Sequence, residues 1–144
     1  MPQRVRAVLV TPTGTTLMIK RIRPGVDPYW VLVGGGVEDT DTSNEAALLR
    51  EVREEIAGDA QVLRHLHQLT NPAGETEHFY VARVTAWDFD NRTGPEFERD
   101  DRGEYLLEEV PLTPEAIGAL NLMPPQIKDV LAAATGPGGL LATA

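Results

Sequence analysis

The tightest constraint on the fold lies between residues 29 and 58, where a short apolar strand runs into three glycines and a helix rich in both charges follows. Tyr29 to Val33 has the apolar and β-branched residues of a buried strand, and Gly34-Gly35-Gly36 leaves it. Glycines at such a point let the backbone approach a ligand closely and expose carbonyl and amide groups. Asp41, Thr42 or Ser43 can cap the helix that follows, with Glu45 close behind, and Gly58 stops it. The expected helix covers about residues 43–57. Within it, Glu51, Glu54 and Glu55 share one face, because residues three and four apart are neighbours on a helix. Leu49, Val52 and Ile56 fall on the other side and would hold the helix to a sheet.

That carboxylate stripe is unfavourable by itself. Like charges at this spacing disfavour a helix by a few tenths of a kcal/mol per pair. Glu54 and Glu55 also lie near the C-terminal end, where the helix dipole repels anions. Arg50 and Arg53 offset part of this, and the segment alone could be a solvated surface face. A divalent cation would relieve both penalties, and Mg²⁺ takes oxygen ligands of this kind.

The remaining elements frame this unit. Residues 5–10 and 15–22 read as strands joined by Thr13-Gly14 into a hairpin. A Pro- and Gly-containing loop, 23–28, leads to the glycine strand. Strands are expected at 60–69 and 76–87, with Asn71-Pro72-Ala73-Gly74 as the turn between them. Residues 88–102 form a polar loop, and a last strand covers 104–110. Thr113-Pro114 opens a short helix, and another starts at Pro124-Pro125 and ends near Ala134. This order predicts a mixed β-sheet with helices packed on it, an α/β (α+β) domain spanning residues 1–134 with a flexible tail from 135 to 144.

A net charge of −9 argues against a nucleic-acid polymer or an anionic membrane as partner. It does not oppose a small phosphate substrate met through a metal ion. No apolar run approaches the length of a membrane span, and there is no cysteine for a disulfide or thiolate site. Cytoplasmic residence is the simplest expectation, and a homodimer is compatible with it.

The glycines, the acidic loop and Arg50-Glu51-Val52-Arg53-Glu54-Glu55-Ile56 together resemble the Nudix (MutT-like) hydrolase signature: glycine, a spaced glutamate, then Arg-Glu, apolar, any, Glu-Glu. Gly35 fits the first glycine, and Leu122-Met123-Pro124-Pro125 is also similar to the family. The first half departs from the pattern. Asp41 or Thr42 stands where the family has its first glutamate, and Asp41 is separated from Arg50 by one residue more than the signature has. Ala57 replaces the glycine after the Glu pair, and Val33 replaces a common proline.

The resemblance implies an α/β/α sandwich with a central mixed sheet, and hydrolysis of a diphosphate linkage in a nucleoside diphosphate derivative. It implies Glu51, Glu54 and Glu55 as catalytic metal ligands, with Mg²⁺ as the ion, or Mn²⁺ in its place. Gly35 would add a backbone ligand, and one glutamate would serve as general base. Arg50 would orient a carboxylate, and the first glutamate of the family would pair with it to brace the loop. The altered first half leaves a second reading, an inactive nucleotide-binding or regulatory module.

Outside the signature, Lys20, Arg21 and Arg23 could meet terminal phosphates, with Gly35 and Gly36 beside them as substrate contacts. Tyr29, Phe79 and Trp87 could stack on a base but also suit a core or rim, and Asn121 could read a base edge. Glu96, Glu98 or Glu104 could supply a further carboxylate. His65 and His67 are two apart on one strand, which places them on one face as a half-exposed pair.

Overall fold

The computed structural model describes residues 3–89 and 103–135. Strands β1 (Gln3–Val10), β2 (Thr15–Ile22) and β3 (Tyr29–Gly36) precede helix α1 (Asn44–Ile56). Strands β4 (Asp59–Thr70), β5 (Thr76–Ala86) and β6 (Glu104–Pro111) follow, then α2 (Pro114–Gly118), the short β7 (Leu122–Met123) and α3 (Pro125–Thr135). The strands join one mixed sheet in which β1 runs parallel to β5 and β3 parallel to β7, while the other pairings are antiparallel.

The expected hairpin is short. β1 and β2 pair only through Leu9–Leu17 and Val10–Thr16, next to the turn. Beyond that point they part, and β3 lies against both: residues 29–32 pair with β2, and residues 33–36 pair with β1. The glycines therefore do not leave the strand; they are its β1-paired half. A Cβ on Gly34 would collide with the Val5 carbonyl and stand 2.8 Å from Arg6 Cα, so a side chain there would push β1 away.

Both sheet faces are covered, which gives the α/β/α layering. On one face α1 packs Ala47, Leu48, Val52 and Ile56 against Val5, Ala7, Leu9, Leu17, Ile19 and Val33. On the other, Ile117 of α2 and Ile127 and Leu131 of α3 pack on Val8, Met18, Leu32 and Phe79. Each buried Val, Leu, Ile, Met or Phe side chain among these contributes about 1.5–3 kcal/mol. The apolar stripe of α1 is thus Leu48-Val52-Ile56, at steps of four. Leu49 is only half-buried, and the stripe is not opposite the acids, because Glu51 and Glu55 are themselves buried beside it.

A second correction concerns the histidines. A register shift between His65 and His67 breaks the alternation of β4. His65 lies against the Tyr80 and His78 rings, whereas His67 meets Phe79, whose side chain belongs to the core on the other face. Among the described residues no helix is long and apolar enough to cross a membrane.

Of the possible caps, Ser43 caps α1: its hydroxyl accepts from the Ala46 N–H at 3.0 Å, and its backbone is extended. Thr113 does the same for Ala116 in α2, with Pro114 in the first turn. At the other end of α1, Ala57 adopts the left-handed conformation (φ 49°, ψ 42°), which a residue with a Cβ adopts at a cost of about 1–2 kcal/mol. Glycine would remove that strain and lose some of the gain to unfolded-chain entropy. Ala57→Gly is expected to stabilise the fold by about 0.5–1 kcal/mol in urea unfolding; a lower midpoint would contradict this account of the helix end.

Candidate active site

The acidic residues of α1 sit against the glycine half of β3. Glu51 and Glu55 are 8% and 9% exposed, so their charges need partners inside the protein. The Gly34 N–H donates to Glu55 Oε2 at 2.8 Å. Arg50 Nη1 donates to Glu51 Oε1 at 2.8 Å and to Glu54 Oε2 at 3.1 Å. Glu54 is the most open of the three, with a side chain 32% exposed. Gly35 is where α1 comes closest: a Cβ there would stand 2.6 Å from the Glu51 carboxylate carbon. The glycine is therefore what lets a buried carboxylate lie on the strand.

Arg50 ties this helix to the loop before it. Its Nε and Nη2 donate to the two carboxylate oxygens of Asp41, each at 3.0 Å, a bidentate pair. Nη2 also donates to the Gly36 carbonyl at 3.0 Å. Asp41 in turn accepts from the Glu38 N–H at 2.8 Å, which closes the loop. The Arg50 side chain beside it holds the Asp41 carboxyl below its ordinary value, with the Glu38 N–H acting in the same direction. Asp41, and to a lesser degree Glu54 and Glu51, hold the Arg50 guanidinium above its ordinary value, against the opposing effect of burial. Asp41 thus makes the arginine pairing that the resemblance assigns to a glutamate; the shorter side chain is reached across a longer loop.

A cleft of about 640 Å³ opens beside these groups. Gly34, Gly35, Gly36, Glu38, Glu51, Glu54 and Glu55 line one side. Arg4 and Arg6 of β1, Ile19 and Arg21 of β2, Tyr29 and Val31 of β3, and Tyr105 of β6 line the rest. Arg50 is not a lining residue and braces the acids from behind. Acidic and basic sides therefore face one cavity, which suits an anion that also needs a cation.

Not every expected contact is brought here. Lys20 points to the other sheet face, with its Nζ 5.2 Å from the centre of the Trp30 ring and 4.0 Å from Glu108. Arg23 is exposed in the loop after β2 and does not line the cleft. Asn121 donates to the Pro28 carbonyl, Phe79 is core, and Glu104 is exposed. Glu96 and Glu98 lie outside the described residues. Arg4, Arg6 and Tyr105 were not legible as cleft residues, since strand pairing, not local spacing, carries them there. The two-residue spacing of Arg4 and Arg6 in an otherwise apolar strand was the one available signal. Arg6 is partly neutralised by Glu77 at 3.3 Å.

All the acidic donors are oxygens, the hard ligands that suit Mg²⁺. Among the described residues no three acidic side chains converge as a metal shell, since Arg50 Nη1 stands between Glu51 and Glu54. Short rotations of Glu51 and Glu54 away from that guanidinium would present their oxygens to the cleft. The residues present therefore fit a divalent ion in chemistry.

The bracing pair has a pH signature. Because Asp41 is depressed below its ordinary value near 3.9, the pair contributes fully above that value and is lost as pH falls below about 4. Asp41→Asn is expected to cost about 1–3 kcal/mol at pH 7, with the gap to the parent narrowing between about pH 5 and 2. Thermal melts across that range check it, and a gap independent of pH would contradict the pairing.

Comparison with known proteins follows the same lines. The family model for the NUDIX domain matches residues 1–132. No curated protein matches the chain by sequence. Among solved structures, the E. coli ORF135 protein is 25% identical, with a TM-score of 0.57 over 92% of this chain and 87% of that one. A NUDIX hydrolase from Nitrosomonas europaea is 18% identical, with a TM-score of 0.68 over 90% and 85%. An ADP-ribose pyrophosphatase from Streptococcus suis is 18% identical, with a TM-score of 0.64 over 95% and 93%. With the family model spanning most of its length and the fold agreeing, the chain belongs to the Nudix family of hydrolases.

Proposed function

We propose that this protein is a Mg²⁺-dependent diphosphatase that splits a diphosphate linkage in a nucleoside diphosphate derivative: a nucleotide, nucleotide sugar or dinucleotide. Nudix hydrolases generally use a divalent metal and act on small nucleotide-derived substrates. The observation that carries the reading for this chain is the set of Glu51, Glu54 and Glu55 on one helix, packed on glycine backbone and facing a cleft whose other side is basic. Glu51, Glu54 and Glu55, with the Gly35 carbonyl, would hold the ion. Bound there, it would neutralise phosphate charge and acidify a water molecule.

The chain's own groups do the rest. Arg50 holds Glu51 and Glu54 side by side, and Asp41 fixes Arg50, so that only short rotations of the two carboxylates separate this arrangement from one that faces the cleft. Glu54, the most open carboxylate, takes the proton from the attacking water. The water oxygen forms the new P–O bond, the bridging P–O bond breaks, and its electron pair leaves with the second phosphate. Arg4 and Arg21 face the cleft and counter the charge of the phosphates. A small soluble substrate and the absence of cysteine are consistent with a cytoplasmic site of action. The inactive-module reading draws on the altered signature; the Asp41–Arg50 pair, which braces the loop despite that alteration, supports the active reading over it.

A panel of nucleoside triphosphates, dinucleotides, nucleotide sugars and ADP-ribose with Mg²⁺ tests this, with products identified. Turnover is expected on at least one class, and Glu54→Gln should lower kcat by about 10²–10⁴ with the melting temperature little changed. A folded protein inert on every class would overturn the proposal.

A further inference from the structure

A pair of metal-ligating side chains lies outside the cleft. His65 of β4 pairs with Tyr80, two residues along β5 from His78, so the two imidazoles are diagonal neighbours on one face of the sheet. They are 13 residues apart in sequence, and only the strand register brings them together. Their ring centres are 5.5 Å apart, and His65 Nε2 stands 3.3 Å from His78 Nδ1. The other ring nitrogen of His78, Nε2, donates to Gln3 Oε1 at 2.7 Å. That bond puts the proton of a neutral His78 on Nε2 and leaves a lone pair on Nδ1, the atom that faces His65. A histidine oriented by a hydrogen bond from its opposite N–H is the usual arrangement of a metal ligand.

We propose that His65 Nε2 and His78 Nδ1 form a site for a borderline transition-metal dication such as Zn²⁺, separate from the acidic set on α1. With Zn–N bonds of about 2.0–2.1 Å at a tetrahedral angle, two imidazole nitrogens stand about 3.3–3.4 Å apart. The pair already has that span. His78 is half-buried and held by Gln3, so it is the fixed half of the site. His65 is exposed, so its ring can turn the Nε2 lone pair to the shared point while its own proton sits on Nδ1. No third His, Cys, Asp or Glu among the described residues converges there, so water completes the coordination. Ligand class keeps the two sites apart: imidazole nitrogens suit Zn²⁺, Cu²⁺ and Ni²⁺, whereas Mg²⁺ takes oxygens. Neither histidine lines the cleft, and the proposal stands independently of the hydrolase reading. Because the ligands come from adjacent strands, a bound ion would clip β4 to β5 and stabilise the folded state.

Titration of Zn²⁺ into the protein in Mg²⁺-containing buffer tests this, read by the ring C–H NMR signals of the histidines and by the melting temperature. The His65 and His78 signals should move together and saturate, while His67, which lies against Phe79, should not respond. The melting temperature should rise. His65→Ala and His78→Ala should each weaken Zn²⁺ binding about tenfold or more, and Gln3→Leu about tenfold. Glu54→Gln, which strikes the acidic set, should leave Zn²⁺ affinity within about twofold. No Zn²⁺-dependent response of His65 and His78 in the parent overturns the proposal. So does Zn²⁺ affinity that survives the histidine substitutions, or that falls with Glu54→Gln instead, since the ion would then sit among the carboxylates. Melting curves without metal confirm that each variant is folded, and the exposed position of His65 keeps the test open should His78→Ala not fold.

Discussion

The arrangement around α1 depends on one guanidinium. Arg50 reaches forward to Asp41 and the Gly36 carbonyl and sideways to Glu51 and Glu54. Three acids crowded on one helix would repel one another and the helix dipole, and two of them are buried. A buried carboxylate is tolerable only with a donor or a counter-charge, and Arg50 and the Gly34 N–H supply both. The glycines make this possible in space: without them neither the Glu51 carboxylate nor β1 could approach β3. Charge, backbone geometry and the close approach of helix to strand are therefore one constraint seen from three sides.

The splayed sheet has a corresponding role. Because β1 and β2 part after two paired residues, β3 can lie against both and present its glycine half to α1 and its Tyr29 end to β2 and β6. A flat, continuous hairpin would have left no cleft between acidic and basic walls. Side chains from four different strands thus converge on one cavity.

Much of this was legible in the sequence. Thr113, Gly58 and the run Asp41-Thr42-Ser43 marked helix ends by local chemistry, with Ser43 singled out as the cap by the structure, and the Glu51-Glu54-Glu55 spacing marked a shared face. What local pattern could not give was which side of α1 counts as inside. The acids lie beside Leu48, Val52 and Ile56 because the glycines admit them, so Leu49 is not in the stripe. Register was equally hidden. The bulge in β4 sends His65 and His67 to different neighbours, and alternation along β2 sends Lys20 away from the cleft while keeping Arg21 in it. Asp41 was visible only as a departure from a pattern; that it makes a bidentate bond to Arg50 depends on how the loop folds back on the helix, which spacing alone does not give.

The central claim is that the Arg50-braced carboxylates form a divalent-metal site. Calorimetric titration of Mg²⁺ into the protein, alongside Glu51→Gln and Glu54→Gln, tests it most directly. Saturable heat and a higher melting temperature are expected for the parent, with both lost or much reduced in the two variants. No binding to the parent, or equal binding to all three, would contradict the account.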